Sequence, residues 1–107
     1  MSIYQILKTT GFEVAYNAFP EKSSPAYPYI VYLDAGGEAL SADSHALKDV
    51  NTYRVELYAE TAASLLNAVC TLRGVLSDNN IIYTRSEPVF VPEDRHFMTA
   101  FEFDEIE

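Results

Sequence analysis

Cysteine, tryptophan, glycine and proline are all scarce in this 107-residue sequence, which has one cysteine, no tryptophan, four glycines and five prolines. A single cysteine, Cys70, excludes an intrachain disulfide, which fits a reducing compartment. So little glycine and proline excludes collagen-like and low-complexity chains. No run approaches the roughly 18 to 20 apolar residues of a membrane span, and residues 1 to 11 lack a signal-peptide core. We therefore expect a cytoplasmic protein.

Basic residues are also few. Seven lysines and arginines face sixteen aspartates and glutamates, which gives a net charge of −9. Residues 87 to 107 alone hold seven acidic residues and one basic residue, Arg95. Such a surface repels phosphate groups, so specific nucleic-acid binding and docking on anionic membranes are disfavoured. The same charge also serves solubility.

What the sequence does contain is enough apolar material for one core. The hydrophobic fraction of 49% excludes an intrinsically disordered chain, and the length suits one domain and not two. We therefore expect residues 1 to 107 to form a single domain.

Two segments have helical periodicity. The first, Ser2 to Thr10, starts at a possible N-cap serine. The second, Thr61 to Ser77, has Leu residues and a valine at helical spacing, and we expect further residues to widen this apolar stripe. Within it, Cys70 is expected to be a buried, inert thiol. The stripe comprises Leu65, Val69, Leu72 and Leu76, widened by Leu66, Cys70 and Val75.

Other segments alternate between apolar and polar residues, as half-buried strands do. In residues 53 to 60, Tyr53, Val55, Leu57 and Ala59 face one side, and Arg54, Glu56, Tyr58 and Glu60 face the other. Three phenylalanines share one face of residues 96 to 103. The predicted strands are 12–19, 29–34, 53–60, 81–84, 87–91 and 96–103. Because hairpins dominate, we predict an α+β fold with a mainly antiparallel sheet and two helices packed on one face.

A long β-hairpin is expected between the two central strands. Residues 35 to 52, the hairpin arm, would turn near Asp43-Ser44, with a β-bulge at Gly36-Gly37. The predicted register pairs Val31 with Leu57 and Leu33 with Val55. In that register Tyr32 and Tyr58 share the face of Arg54 and Glu56. Tyrosines there are typical either of cross-strand packing or of a protein–protein interface.

Catalytic and metal-binding patterns are missing from the sequence. The histidines, His45 and His96, and the cysteine lack zinc-ligand spacing, and Gly-x-Ser-x-Gly and P-loop motifs are also missing. Glu93, Asp94 and His96 are close in sequence, but we interpret them as a solvated turn. We therefore predict no catalytic, cofactor-binding or metal-binding residue, no cofactor, and no enzymatic activity.

Several stretches resemble small tail-completion or tail-terminator proteins, the head–tail joining proteins of long-tailed phages and of prophages of Gram-positive bacteria. They are residues 7–16 (LKTTGFEVAY), Phe19-Pro20, residues 28–33 (PYIVYL) and residues 51–58 (NTYRVELY). The resemblance spans nearly the whole chain, although the last third matches by pattern only.

The resemblance implies a structural subunit that assembles into a homo-oligomeric ring, usually hexameric, at the head-proximal end of the tail tube. Its partners would be further copies of itself, the tail-tube protein and the head–tail connector proteins, and DNA would pass through the ring. It would be found in the virion and, during assembly, in the host cytoplasm.

A long hairpin is a natural arm for reaching a neighbouring subunit. We therefore expect an oligomer interface at Leu40, Asp43, His45, Leu47, Lys48, Val50, Tyr32 and Tyr58. A head-closure or connector ring component is an alternative. A small cytoplasmic ligand-binding or regulatory module is another, and a deep apolar pocket between helix and sheet would be its mark.

Overall fold

The computed structural model describes residues 2–19, 25–39 and 49–106. Within them the chain forms two helices and six strands, which confirms the α+β class. In chain order they are α1 (Ile3–Lys8), β1 (Glu13–Tyr16), β2 (Tyr29–Ala39), β3 (Asp49–Ala59), α2 (Ala62–Asp78), β4 (Thr84–Arg85), β5 (Val89–Val91) and β6 (His96–Ile106).

The strands form one mainly antiparallel sheet with the order β1-β2-β3-β6-β4, and β5 also pairs with β6. The exception is β1, which runs parallel to β2 through pairs such as Val14 with Ile30. The expected hairpin is present, since β2 and β3 are antiparallel neighbours. Three 11-residue strands, β2, β3 and β6, therefore form the centre of the sheet, and the short strands β1 and β4 lie at its edges.

Both helices cover the same face of this sheet. The face that we call the covered face carries Ile30, Tyr32, Val55, Leu57 and Phe101, all of which are buried. Ile3 and Leu7 of α1 pack against it, together with the apolar side of α2. As predicted, the aromatic residues of β6 share this face, because alternate residues of a strand point to one side. The core thus lies between the helices and the covered face.

Side-chain caps set where both helices begin. The Ser2 hydroxyl accepts a hydrogen bond from the Gln5 amide at 3.2 Å, and the Gln5 side chain accepts one from the Ser2 amide at 3.0 Å. This capping box satisfies amides that the first helical turn cannot. At α2, the Thr61 hydroxyl accepts from the Ser64 amide at 3.1 Å. Both predicted N-caps, Ser2 and Thr61, are confirmed.

The prediction that Cys70 is buried is wrong: the thiol is exposed. Leu66, also expected in the apolar stripe, is 56% exposed. Helical geometry gives the reason, because each residue lies about 100° around the axis from its neighbour. Leu65 and Val69 face the sheet, so Leu66 and Cys70 lie on the flank, and Ala68 completes the buried side.

The bulge predicted at Gly36-Gly37 is confirmed, because the register of β2 against β3 shifts between Asp34 and Gly37. The predicted pairing is wrong. Val31 lies opposite Glu56, and Tyr32 lies opposite Val55. Between the pairs Asp34–Tyr53 and Gly37–Asn51, β2 has two residues and β3 has one. This extra residue moves the partners of Tyr29 to Leu33 on β3 by one position, and the predicted register had assumed a shift in the opposite direction. Every residue from Tyr29 to Leu33 is apolar or aromatic, so periodicity did not reveal which of them face the core.

The hairpin arm has a third strand that the sequence did not suggest. Beyond the bulge, Glu38 pairs with Val50, and Val50 also pairs with Ile106 of β6. The molecule is elongated as a result, measuring 48 × 29 × 24 Å with a radius of gyration of 15.0 Å. A compact chain of this length has a radius near 13 Å. The turn near Asp43-Ser44 lies outside the described residues.

Candidate functional site on the open face of the sheet

The face opposite the helices, which we call the open face, carries most of the polar and aromatic side chains that could bind a partner. Its central residues are Tyr29, Glu56, Tyr58 and His96. A depression of about 370 Å³ lies over them. The residues that line it come from the segments after β1 and before β2, from β2 and β3, and from the start of β6 with the turn before it. They are Asn17, Ala18, Phe19, Pro25, Tyr29, Val31, Glu56, Tyr58, Asp94 and His96.

His96 anchors one end of this depression. It is the first residue of β6, and its side chain is only 5% exposed. Its Nδ1 is hydrogen-bonded to the Tyr27 hydroxyl at 3.0 Å, and its Nε2 lies 3.9 Å from Asp94 Oδ2. The interpretation of Glu93, Asp94 and His96 as a solvated turn therefore holds for exposed Asp94 but not for His96. Nδ1 thus has a hydrogen-bond partner, and among the described residues no buried side-chain nitrogen or oxygen lacks one.

Aromatic rings form a continuous layer across the strands. Tyr29 and Tyr58, which are paired across β2 and β3, stack with ring centroids 4.9 Å apart and an interplanar angle of 14°. Tyr58 also contacts the His96 ring, with centroids 4.9 Å apart. On the other side, the Phe19 ring meets Tyr29 edge to face at 5.3 Å. Such contacts add to the stability gained from burial alone and hold the rings in place.

An ionic network adjoins the aromatic layer. The Arg54 Nε donates to Glu56 Oε2 at 3.0 Å, and the Arg54 Nη1 donates to Glu102 Oε1 at 3.0 Å. The Tyr58 hydroxyl donates to the second oxygen of Glu56, also at 3.0 Å. Glu56 is thus held from two sides, which fixes the position of the carboxylate at the edge of the depression.

Burial and neighbouring acidic groups raise the pKa values of two tyrosines in the depression. Burial and the Glu56 carboxylate raise the pKa of Tyr58 above its ordinary value of 10.0. Burial, assisted by Tyr27, Asp94 and Glu56, also raises the pKa of Tyr29. Both phenols therefore remain protonated at neutral pH, and they can donate or accept hydrogen bonds.

Neither a metal-binding cluster nor a membrane-spanning helix is found in the described part of the chain. Across residues 2–19, 25–39 and 49–106, no group of three or more His, Cys, Asp or Glu residues is arranged to hold a metal ion. Neither helix in the described part of the chain is long and apolar enough to cross a bilayer. What the open face does offer is a set of fixed aromatic rings, phenol oxygens and carboxylates, which are groups suited to recognition.

The predicted interface residues have different outcomes. Leu40, Asp43, His45, Leu47 and Lys48 lie outside the described residues. The backbone of Val50 pairs with both neighbouring strands of the arm. The expectation that Tyr32 and Tyr58 share a face is wrong, because the observed register puts Tyr32 on the covered face. Tyr32 is 9% exposed and contacts the rings of Tyr4 and Tyr16.

Tyr58 does lie on the open face, but its main neighbours were missed. Tyr27 precedes β2 in the chain, yet its hydroxyl is hydrogen-bonded to His96 Nδ1. These residues are 69 positions apart, and local patterns carry no information on such a contact. One signal was available: His96 alternates with Phe97 and so had to lie on the same face as Tyr58.

A scan against models of known protein families and a search of curated proteins both give no match.

Proposed function

We propose that this chain is a structural subunit of a phage tail, a tail-terminator or tail-completion protein that forms a ring at the head-proximal end of the tail tube. The resemblance of residues 7–16, 28–33 and 51–58 to such proteins suggests this role. The main support for the proposal is that the hairpin arm and the end of β6 form a three-stranded extension of the sheet whose outer edges are not covered by β1 or β4. An arm of this kind gives the chain a means of joining to further copies of itself.

Both outer edges of the arm lack a strand partner within the described part of the chain. On one side, the last pair of β1 with β2 is Tyr16 with Tyr32, and residues 35–39 of β2 lie well beyond it. On the other side, β4 pairs with β6 at Phe101 and Glu102, and Phe103 to Ile106 continue beyond it. Strand edges with free amides and carbonyls are ready to pair with another chain.

The hydrogen bonds of Ala100 show which amides of β6 point outward. The Ala100 amide donates to Ser86 Oγ, and the Ser86 amide donates to the Ala100 carbonyl, so Ala100 faces away from β3. The register of β6 against β3 is regular, and backbone groups alternate in direction along a strand. Asp104 therefore also presents its amide and carbonyl to the outer edge, past the end of β4.

These edges are suited to closure into a ring. Both β2 and β6 run antiparallel to β3, so they are parallel to each other. If β2 of one copy pairs with β6 of the next, the two strands are parallel. The β6 edge of one copy and the β2 edge of the other then stay free for further copies. This head-to-tail contact repeats until the rotation closes a ring. We expect six copies because the resembled proteins usually form hexamers.

The function is tested by mixing the purified protein with the tail-tube protein encoded in the same phage genome. Negative-stain electron microscopy then measures tube lengths. A terminator caps the tube, so tubes shorten as the protein is added and rings are seen at one end. Tubes that grow to the same length at every protein concentration would contradict the proposal.

The edge contact is tested by a matched pair of variants, Asp104→Pro and Asp104→Ala. Both remove the Asp104 side chain and its 2.7 Å hydrogen bond from the Thr52 hydroxyl. Only proline also removes the outward amide, and proline is tolerated on an edge strand. We expect Asp104→Ala to form rings and Asp104→Pro to remain monomeric by light scattering. Equal ring formation would reject the edge contact.

Deleting residues 42 to 46 tests whether the tip of the hairpin arm contributes to the interface. The hypothesis predicts weaker ring assembly at a given protein concentration. Normal assembly would remove the tip residues, including Asp43 and His45, from the interface.

The alternative function is a head-closure or connector ring component, which would also assemble into a ring through the same strand edges. It differs in its partner, so its ring would bind the connector and leave tube growth unchanged. A ligand-binding module is less well supported, because the space between the helices and the covered face is filled by buried side chains such as Leu72 and Phe101.

A further inference from the structure

The depression on the open face has the chemistry of a site for a cation. Its walls are aromatic, with Tyr29, Tyr58 and Phe19 supplying rings whose π-electrons attract positive charge. The charged side chains among its lining residues are the carboxylates of Glu56 and Asp94. The nearby guanidinium of Arg54 is already bonded to Glu56 and Glu102. Carboxylates would therefore repel an anionic ligand, whereas a cation is attracted both by the aromatic rings and by the carboxylates.

Asp94 is the carboxylate most available to a ligand. Its side chain is 66% exposed, and its Oδ2 lies 3.9 Å from His96 Nε2, beyond hydrogen-bonding distance. Glu56 already accepts hydrogen bonds from Arg54 and Tyr58. Burial is the largest cause of the raised pKa of Tyr29, and Tyr27, Asp94 and Glu56 raise it further.

We propose that this depression is a docking site for the arginine side chain of a partner protein. A volume of about 370 Å³ is at the lower end of the range for small-ligand pockets, so it suits one side chain better than a large cofactor. A guanidinium can stack on an aromatic ring and bond a carboxylate at the same time. The chain's net charge of −9 favours the approach of a basic partner. Binding of an arginine side chain here requires neither assembly into a ring nor a role in a phage tail, so this proposal is independent of the proposed function.

The test uses two small probes of nearly the same shape, N-acetyl-arginine methylamide, which is positively charged, and N-acetyl-citrulline methylamide, whose urea group is neutral. Each is titrated at constant ionic strength while NMR follows the aromatic and methyl signals. We expect saturable shifts with the arginine probe at Tyr29, Tyr58, Val31 and His96, and no such shifts with citrulline. Equal responses to both probes, or shifts spread over the whole surface, would overturn the proposal.

Two variants of equal net charge separate this site from general attraction to an acidic protein. Asp94→Asn removes the carboxylate beside the depression, and Asp78→Asn removes an exposed one at the end of α2. We expect Asp94→Asn to weaken binding of the arginine probe about threefold, a typical loss for an exposed ion pair. Asp78→Asn should leave the affinity unchanged. Equal weakening by both variants would show that net charge alone attracts the probe, and would reject the site.

Discussion

The covered face and the open face of the sheet belong to the same strands, yet they are stabilised by different interactions. On β3, Val55 and Leu57 point to the covered face and are fully buried, while Arg54, Glu56 and Tyr58 point to the open face. The covered face is stabilised by apolar burial against the helices. The open face is fixed by stacked rings and by hydrogen bonds between charged groups. One face thus supplies the free energy of folding, and the other supplies groups that can recognise a partner.

The comparison predicts that the same substitution has very different effects on the two faces. Leu57→Ala on the covered face should lower the free energy of unfolding by about 2 to 5 kcal/mol, because it leaves a cavity in the core. Leu33→Ala on the open face should cost about 1 kcal/mol, since Leu33 is only half-buried. Urea unfolding measures both. Equal losses in the free energy of unfolding for the two variants would show that the open face is packed like a second core.

Within the open face, the two carboxylates that bind Arg54 should differ. Glu56 accepts from both Arg54 and Tyr58 and is mostly buried, so Glu56→Gln should cost about 1 to 2 kcal/mol. Glu102 is half exposed, so Glu102→Gln should cost less than about 0.5 kcal/mol. Urea unfolding of the two variants checks this order. The reverse order would contradict the role of Glu56 as the fixed centre of the network.

The raised pKa of Tyr58 predicts a loss of stability at high pH. Above the ordinary pKa of 10.0, the unfolded chain releases the phenolic proton while the folded chain retains it. The unfolded state then binds fewer protons, so the free energy of unfolding falls as the pH rises. Urea unfolding between pH 9 and 11 should show this fall, and Tyr58→Phe should make it shallower, with a remaining contribution from Tyr29, whose pKa is also raised. An unchanged slope in Tyr58→Phe would exclude Tyr58 as the cause.

The smallest effect is expected on the flank of α2. Cys70 is exposed, so Cys70→Ser should change the free energy of unfolding by less than about 0.5 kcal/mol. The native thiol should also react with a thiol reagent as fast as it does in urea. Protection of the thiol in the folded protein would mean that another surface covers this side of the helix.

Local patterns in the sequence predicted much of the fold. Helix caps at Ser2 and Thr61, the faces of β3 and β6, and the bulge near Gly36 all follow from short-range periodicity or from local backbone preferences. The face of Tyr32 did not, because β2 is apolar or aromatic on both sides near its start. The exposed position of Cys70 was missed because the apolar stripe was drawn too wide.

The candidate site was harder to predict than the fold. Glu56 and Tyr58 were placed on one face by alternation, but the burial of His96 depends on Tyr27, which is far away in the sequence. The parallel pairing of β1 with β2 likewise depends on the path of the intervening loop and not on a local pattern. Contacts between distant segments are set by tertiary packing.

Assembly through the arm is the central claim, and native mass spectrometry of the purified protein at several concentrations tests it most directly. We predict a closed oligomer, expected to be a hexamer, whose population rises with concentration for the unaltered chain and for Asp104→Ala, and a monomer for Asp104→Pro. A chain that stays monomeric at every concentration, or an Asp104→Pro variant that assembles as well as Asp104→Ala, would contradict the account.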